Sequence, residues 1–236
     1  SVPRILEAQR AVEEKVNDAL AAGAVPVVIG QNSPCGSYAV AKPVGERANG
    51  PVGMVSLDTH WDIMPDDRAT MDDRIAGSAN WKTRVYADLP AFDPAKLVEI
   101  GERGMLERKD RVRAFLEAGS TFVSSWQLRT DLGIDGTVAL LDRAFAGTDA
   151  VYAHFDMDVL GGAGPTGGDI LGELAEPIGL TDYEVIRIAH EIGRRGCDGL
   201  SFICIPPGWP VIYRVIVYVI AYFMAGLALR KAGEGA

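Results

Sequence analysis

Two short stretches concentrate the side chains that could hold a metal in this 236-residue chain: Asp58-Thr59-His60-Trp61-Asp62 and His154-Phe155-Asp156-Met157-Asp158. Each follows an apolar, β-branched run, Val52-Gly-Met-Val-Ser-Leu57 in the first case and Ala150-Val-Tyr-Ala153 in the second. Side chains alternate along a strand, so positions i, i+2 and i+4 share a direction. Asp58, His60 and Asp62 can therefore converge, and so can His154, Asp156 and Asp158. Carboxylates and imidazoles gathered at two strand ends suit a divalent cation, and without one such a cluster repels itself. The alternative is a set of solvated strand-end carboxylates or helix caps.

The elements that must position these residues alternate between helix and strand. Residues 4–22 read as an amphipathic helix with Ile5, Val12, Val16, Ala19 and Leu20 inward, stopped by Gly23. Val25-Pro-Val-Val-Ile-Gly30 reads as a short buried strand, followed by the run that ends at Asp58. Further strands are expected at 96–101, 121–125, 150–157 and 200–205, with helices near 105–118, 135–147 and 181–195. Thr181-Asp-Tyr-Glu184 is a capping box that opens the last of these. Continuous apolar strands alternating with helices imply a three-layer α/β/α domain with a mainly parallel sheet covered on both faces. In such sheets ligands bind beyond the carboxyl ends of the strands, where both acidic stretches lie. Segments 62–93 and 159–180 lack periodicity and are expected as functional loops.

Composition narrows the function classes. A chain of this length, 48% hydrophobic and 23% charged, supports a single domain over 1–236. A net charge of -9 and a pI near 4.9 argue against nucleic acid or an anionic membrane as partner. Three cysteines (Cys35, Cys197, Cys204) with no Cys-x-x-Cys pair fit a reducing cytoplasm, and no signal peptide opens the chain. Val211 to Leu229 is apolar enough to span a bilayer, but Arg214 interrupts it and Arg230-Lys231 follow. It is expected as a core-packed final helix, compatible with an oligomer interface.

The order of segments resembles the ureohydrolase family, the arginases and agmatinases. The family's signatures run Gly-Gly-Asp-His-Ser, then Asp-Ala-His-x-Asp, then Ser-x-Asp-x-Asp-x-x-Asp-Pro. Here the second stands as Asp58-Thr-His60-Trp-Asp62, and most of the third as Phe155-Asp156-Met-Asp158-Val-Leu160. Val25-Pro-Val-Val-Ile-Gly30 resembles the strand before the first signature, and Val98-Glu-Ile-Gly-Glu-Arg-Gly104 the family's "IGIRG" strand. Pro206-Pro207 before an apolar helix resembles the family's ending. The resemblance covers essentially the whole chain and implies an arginase–deacetylase-like fold. The chain is short for that family, and the part missing would be the first strands.

The resemblance also implies roles. In the family two metal ions share bridging carboxylates and turn a water into a hydroxide that attacks a guanidinium carbon. Carried over, Asp58 and Asp156 would bridge, His60 and Asp158 would complete one site, and Asp62 would serve the other. Carboxylate-rich ligation suits Mn²⁺, with Ni²⁺ or Zn²⁺ as alternatives, one or two ions per chain. The departures are specific. Asn32, in Gly30-Gln31-Asn32-Ser33, stands where the first signature has its histidine. No histidine occurs in Ser78-Ala-Asn-Trp-Lys82, where the family's loop histidine falls, and the late glutamate falls at about Ile203 or Cys204. Gly161-Gly162 replaces the final Asp-Pro.

His154 precedes Asp156 by two residues, where the family has a small residue. It could replace the lost ligand or act with Asp158 as a catalytic acid or base, against the alternative of a hydrogen-bonded histidine with no catalytic part. His190 reads as structural, and Cys35 either faces the site or is an inert thiol. Asn32, Trp61 and Trp209 are candidates to contact substrate, with aromatic core packing equally good for the tryptophans. Lys82 could donate a proton only if burial lowers its pKa. The Asp66-Asp67 and Asp72-Asp73 pairs read as solvated loop charges.

Three readings stay open. The first is a hydrolase of a guanidino or amidino C–N bond, on a small-molecule substrate other than arginine because the late glutamate is lost. The second is a non-catalytic subunit packed beside an active ureohydrolase chain. The third is a mononuclear metal amide hydrolase using Asp58, His60 and Asp156, as the related deacetylases do. Family habit implies homo- or hetero-oligomers, trimers or hexamers.

Overall fold

The computed structural model describes residues 2–30, 32–66, 72, 74–103, 107–161, 178–205, 208 and 210–234. Trp209, Pro206-Pro207, Asp67, Asp73, Gly104, Gly162 and most of the 159–180 segment lie outside the described residues.

The β-branched and aromatic runs become six parallel strands: β1 (Val27–Ile29), β2 (Val52–Leu57), β3 (Phe92–Ile100), β4 (Thr121–Val123), β5 (Ala150–Asp156) and β6 (Gly199–Ile203). Their order in the sheet is β1-β6-β5-β2-β3-β4. After β2 the chain adds β3 and β4 on one side, and then returns to lay β5 and β6 on the other. The boundary between β2 and β5 is therefore the topological switch point, where parallel sheets open a crevice at their carboxyl edge.

Helices cover both faces, as the uninterrupted burial of β2 requires. On one side pack α1 (Val2–Ala21), α2 (Ala39–Arg47), α3 (Trp81–Asp88) and α4 (Lys109–Glu117), around Met54, Val85, Leu97, Phe115 and Tyr152. On the other lie α5 (Ser125–Gln127), α6 (Gly133–Leu140), α7 (Asp142–Phe145), α8 (Asp182–Arg195) and α9 (Pro210–Glu234), around Leu57, Phe155, Ile188, Phe202 and Val219. The expected three-layer α/β/α arrangement is the one observed.

Several local expectations need correction. Segment 62–93 is not all loop: a turn at Ser78–Asn80 leads into α3. Its buried side chains include Lys82, Thr83 and Arg84, so no apolar period announces it. Segment 34–47 is helical too, through the π-turn Pro34–Tyr38 and α2, although Pro43 inside α2 speaks against a helix in the sequence. The helix expected at 105–118 begins at Lys109, and the one expected at 135–147 is broken into α6 and α7.

α8 forms as its signals require. Thr181 Oγ1 accepts from Glu184 N, Asp182 and Glu184 occupy the first turn, and Arg194 and Arg195 the last. Its apolar side packs against α9, whose Ile212, Val215, Ile216, Val219 and Phe223 are buried at helical spacing. The opposite side of α9 exposes Val211, Val217, Tyr218, Met224 and Leu229. The expectation of a core-packed final helix thus holds for one face only. Among the described residues α9 is the one helix long and apolar enough to cross a membrane, with 33% of its most apolar window buried.

The two helices approach closely because Gly193 and Gly226 face each other's backbones. A Cβ on Gly193 would collide with Phe223 O, and one on Gly226 with His190 O. Gly226→Ala should therefore destabilise the protein by about 1–3 kcal/mol despite its better helix propensity. Gly233→Ala, with open space around it, should be neutral or slightly stabilising. Thermal unfolding of the two variants checks this, and equal melting temperatures would contradict the close contact.

Candidate metal centre

Register brings the two acidic stretches together. Ser56 lies beside His154 and Leu57 beside Phe155, so Asp58 and Asp156 emerge next to each other at the switch point. Both tips are fixed in the same way. Asp58 Oδ1 accepts from His60 N at 2.8 Å, and Asp156 Oδ1 accepts from Asp158 N at 3.0 Å. Each aspartate thus ties down its own turn two residues on, the preferred local bond of this residue type. Thr59 then stitches the tips: its N donates to Asp158 Oδ1 at 3.1 Å and its hydroxyl to Asp158 O at 2.7 Å.

Among the described residues three groups of donor atoms result, each gathered within 4.8 Å: Asp58, His60 and Asp158; Asp58, His154 and Asp156; and Asp156, Asp158 and Cys204. His60 Nδ1 lies 3.3 Å from Asp158 Oδ2. His154 is wholly buried, and its Nδ1 is held by Ser201 Oγ at 3.2 Å, with Tyr152 OH at 3.5 Å. Its Nε2 is buried without a hydrogen-bond partner among the described residues, as is His60 Nε2.

Lys82 brings a fixed positive charge into this cluster. Its ammonium is fully buried, 3.1 Å from Asp58 and 3.1 Å from Glu99, a carboxylate near the carboxyl end of β3. Burial works against its charge, but Glu99 and Asp58 hold its pKa above the ordinary lysine value. That disposes of Lys82 as a lowered-pKa proton donor; it is a fixed positive charge.

The remaining electrostatics follow from burial and crowding. Burial pushes the Asp58 carboxyl up to about 6 against the pull of Lys82. Burial and neighbouring carboxylates raise Asp156 and Asp62 well above the usual range, and burial raises Glu99 despite Lys82. Asp158 goes the other way, because contact with His60 outweighs its burial. Burial alone would lower His60, but Asp158 and Asp58 bring it up to about 9. Burial, with the Lys82 charge nearby, holds His154 well below an ordinary histidine. It is therefore neutral, the form that ligates a metal.

A divalent cation fits this arrangement. Asp58, Asp62, Glu99, Asp156 and Asp158 are all buried, and Lys82 with His60 cannot balance them. The imidazoles of His60 and His154 complete a nitrogen and oxygen donor set.

Other expected site residues sit differently. Asp62, in a left-handed conformation (φ 52°), joins none of the three groups, and its Oδ2 accepts from Trp81 Nε1 at 2.8 Å. Asn32 is exposed and caps the turn at Cys35 N, 3.5 Å away. Trp61 stacks on Phe122 with ring centroids 4.1 Å apart, which is the aromatic-packing alternative. The Cys35 thiol turns to Ile5 O of α1, and His190 packs against Tyr222 of α9. Asp66 pairs with Arg84 and Asp72 with Arg74. Sequence reasoning missed the parts played by Trp81, Glu99, Thr59, Ser201 and Cys204. Glu99 alone left a signal, as a charge inside the apolar run Leu97–Ile100.

The sequence model of the Arginase family matches residues 2–207. The chain belongs to the Arginase family. A formimidoylglutamase of Halobacterium salinarum is 30% identical over 207 residues, covering 81% of this chain and 63% of the relative. The chain thus spans less than two thirds of that relative's length. Among solved structures, the Trypanosoma cruzi formiminoglutamase with Mn²⁺ is 24% identical with a TM-score of 0.77, over 95% of this chain and 72% of that one. Proclavaminate amidino hydrolase of Streptomyces clavuligerus is 23% identical with a TM-score of 0.73, over 91% and 68%. These two likenesses establish the Arginase-type fold.

The buried lysine generates a prediction. Lys82→Met should destabilise the metal-free protein by about 3–5 kcal/mol, since it leaves Asp58 and Glu99 buried without their cation. Adding Glu99→Gln should recover part of that loss. Urea unfolding of the single and double variants checks this; a double variant no more stable than Lys82→Met would contradict the pairing.

Proposed function

We propose that the chain is a metal-dependent hydrolase of a guanidino or amidino C–N bond in a small molecule other than arginine. The observation that carries this reading is the pair of donor groups sharing Asp58: His60 and Asp158 on one side, His154 and Asp156 on the other. These residues would hold one or two divalent ions, Mn²⁺ by the prevalence of carboxylate and imidazole donors, with Ni²⁺ or Zn²⁺ as alternatives. An ion so held supplies positive charge that acidifies a water and stabilises charge developing on the attacked carbon's substituents.

The chain's own residues do the rest. The backbone N–H groups of His60, Thr59 and Asp158 fix the carboxylates before any ligand arrives. Ser201 and Tyr152 set the ring orientation of His154, leaving Nε2 as the donor. Lys82 lowers the repulsion on Asp58 without leaving its place between Asp58 and Glu99. Asp158, held ionised by His60, presents a charged carboxylate to a bound ion.

The substrate class follows from two supports. The family's late glutamate falls at Ile203 or Cys204, so the carboxylate expected to meet an arginine-like cation is replaced by uncharged side chains. The Halobacterium relative is a formimidoylglutamase, a name that denotes an amidine substrate rather than a free guanidinium. A cytoplasmic homo- or hetero-oligomer with no nucleic-acid or membrane partner completes this reading.

A second reading, a non-catalytic subunit of a hetero-oligomeric ureohydrolase, is favoured by particular contacts. Asp58 is already bonded to Lys82, Asp62 to Trp81, and Asn32 is exposed.

Metal content and turnover separate the two. Purified chain loaded with Mn²⁺ should retain metal and release urea, ammonia or formamide from one of arginine, agmatine, guanidino acids or N-formimidoylglutamate, arginine being the poorest. Asp156→Ala should lose both metal and turnover. Retention of both by that variant would refute the ligand assignment. A chain that binds no metal and instead forms a stable complex with another family member would establish the second reading.

A further inference from the structure

Cys204 lies in one of the three donor groups but takes no part in the mechanism above, and its position is unusual. It follows directly on β6, whose Ser201 and Ile203 lie in register with His154 and Asp156. Strand alternation would send the next side chain to the opposite face of the sheet. Instead Cys204 adopts a left-handed backbone (φ 52°), rare for a residue with a side chain. The consequence is that its Sγ joins Asp156 and Asp158, donor atoms gathered within 4.8 Å. Strain of this kind persists only where surrounding structure enforces it, and it concentrates at functional sites.

A second observation points the same way. His154, fully buried, has an Nε2 with no hydrogen-bond partner among the described residues, and it belongs to the group that contains Asp156 as well. Asp156 is therefore common to an imidazole group and a thiol group. The other two cysteines are turned elsewhere: Cys35 Sγ to Ile5 O, and Cys197 Sγ to Gly199 O at 2.9 Å.

We propose that Cys204 is a sulfur ligand of this centre, giving it a mixed nitrogen, oxygen and sulfur donor set that favours Zn²⁺ or Co²⁺ over Mn²⁺. The inference rests on the metal-centre reading above and deepens it. Thiolate donors select softer ions than carboxylates do, so one sulfur shifts the preference of an otherwise oxygen-rich site. On binding, the thiol gives its proton to solvent and the sulfur lone pair forms the bond to the ion; nothing is oxidised or reduced.

The test uses the full chain, stripped with a chelator and titrated with Co²⁺ under anaerobic, reducing conditions. Bound cobalt is quantified separately by elemental analysis. The wild type should bind Co²⁺ and develop a near-ultraviolet sulfur-to-cobalt charge-transfer band. Cys204→Ser should still bind cobalt through Asp58, His60 and Asp158 but lose the band, while Cys35→Ser and Cys197→Ser should keep it. With Zn²⁺, X-ray absorption should show one sulfur at about 2.3 Å. Cobalt bound without the band, or a band that survives Cys204→Ser, would overturn the cysteine assignment and leave the metal reading standing. A chain that binds neither Co²⁺ nor Zn²⁺ would overturn both.

Discussion

Like charges gathered where two parallel strands end side by side are the constraint on which this structure turns. β2 and β5 are neighbours at the switch point of the sheet, and each ends in an aspartate whose side chain bonds the backbone two residues on. The hydrogen bonds that Thr59 makes to Asp158 then hold the tips together against their mutual repulsion. Burial sharpens that repulsion, because charges interact more strongly where water is excluded. The surrounding residues are arranged to answer it: Lys82 on Asp58, His60 on Asp158, and two imidazole nitrogens with no partner among the described residues. Such a site favours a cation for the same reason that its carboxylates resist being brought together.

The same constraint explains why Lys82 and Glu99 are buried as a pair. Glu99 lies on β3, next to β2, and would add a further negative charge to the cluster's flank. With the lysine between them, Asp58 and Glu99 share one cation, and α3 is fixed to the sheet at the point where it passes the site. Trp81, one residue earlier, donates to Asp62 and packs edge-on to His154 with centroids 4.6 Å apart. α3 thus supplies both a charge and a wall, and it couples the integrity of the site to the packing of that helix.

Much of this was legible in the sequence, because the signals are local. The apolar, β-branched runs before Asp58 and Asp156 mark the strands, strand alternation gives the shared direction of the polar residues, and the capping box places the start of α8. What escaped was decided by tertiary contacts. Lys82, Thr83 and Arg84 are buried polar side chains, and hydropathy patterns assign such residues to solvent. The left-handed turn at Cys204 reverses the facing that strand alternation implies. Asp62 shows the same limit: it sits at the right spacing to converge with Asp58 and His60, but the chain turns left-handed there and Trp81 takes its carboxylate. α9 reads as almost wholly apolar, so sequence could not show which of its faces meets the core and which is exposed.

The most direct test of the central claim is a crystal structure of the chain grown with Mn²⁺, with anomalous data collected to locate the ion. The account predicts an anomalous peak bounded by Asp58 and Asp156, with His60 or His154 contributing a nitrogen. A well-ordered structure in which these side chains surround no peak at millimolar Mn²⁺, or in which the tips of β2 and β5 diverge, would contradict it.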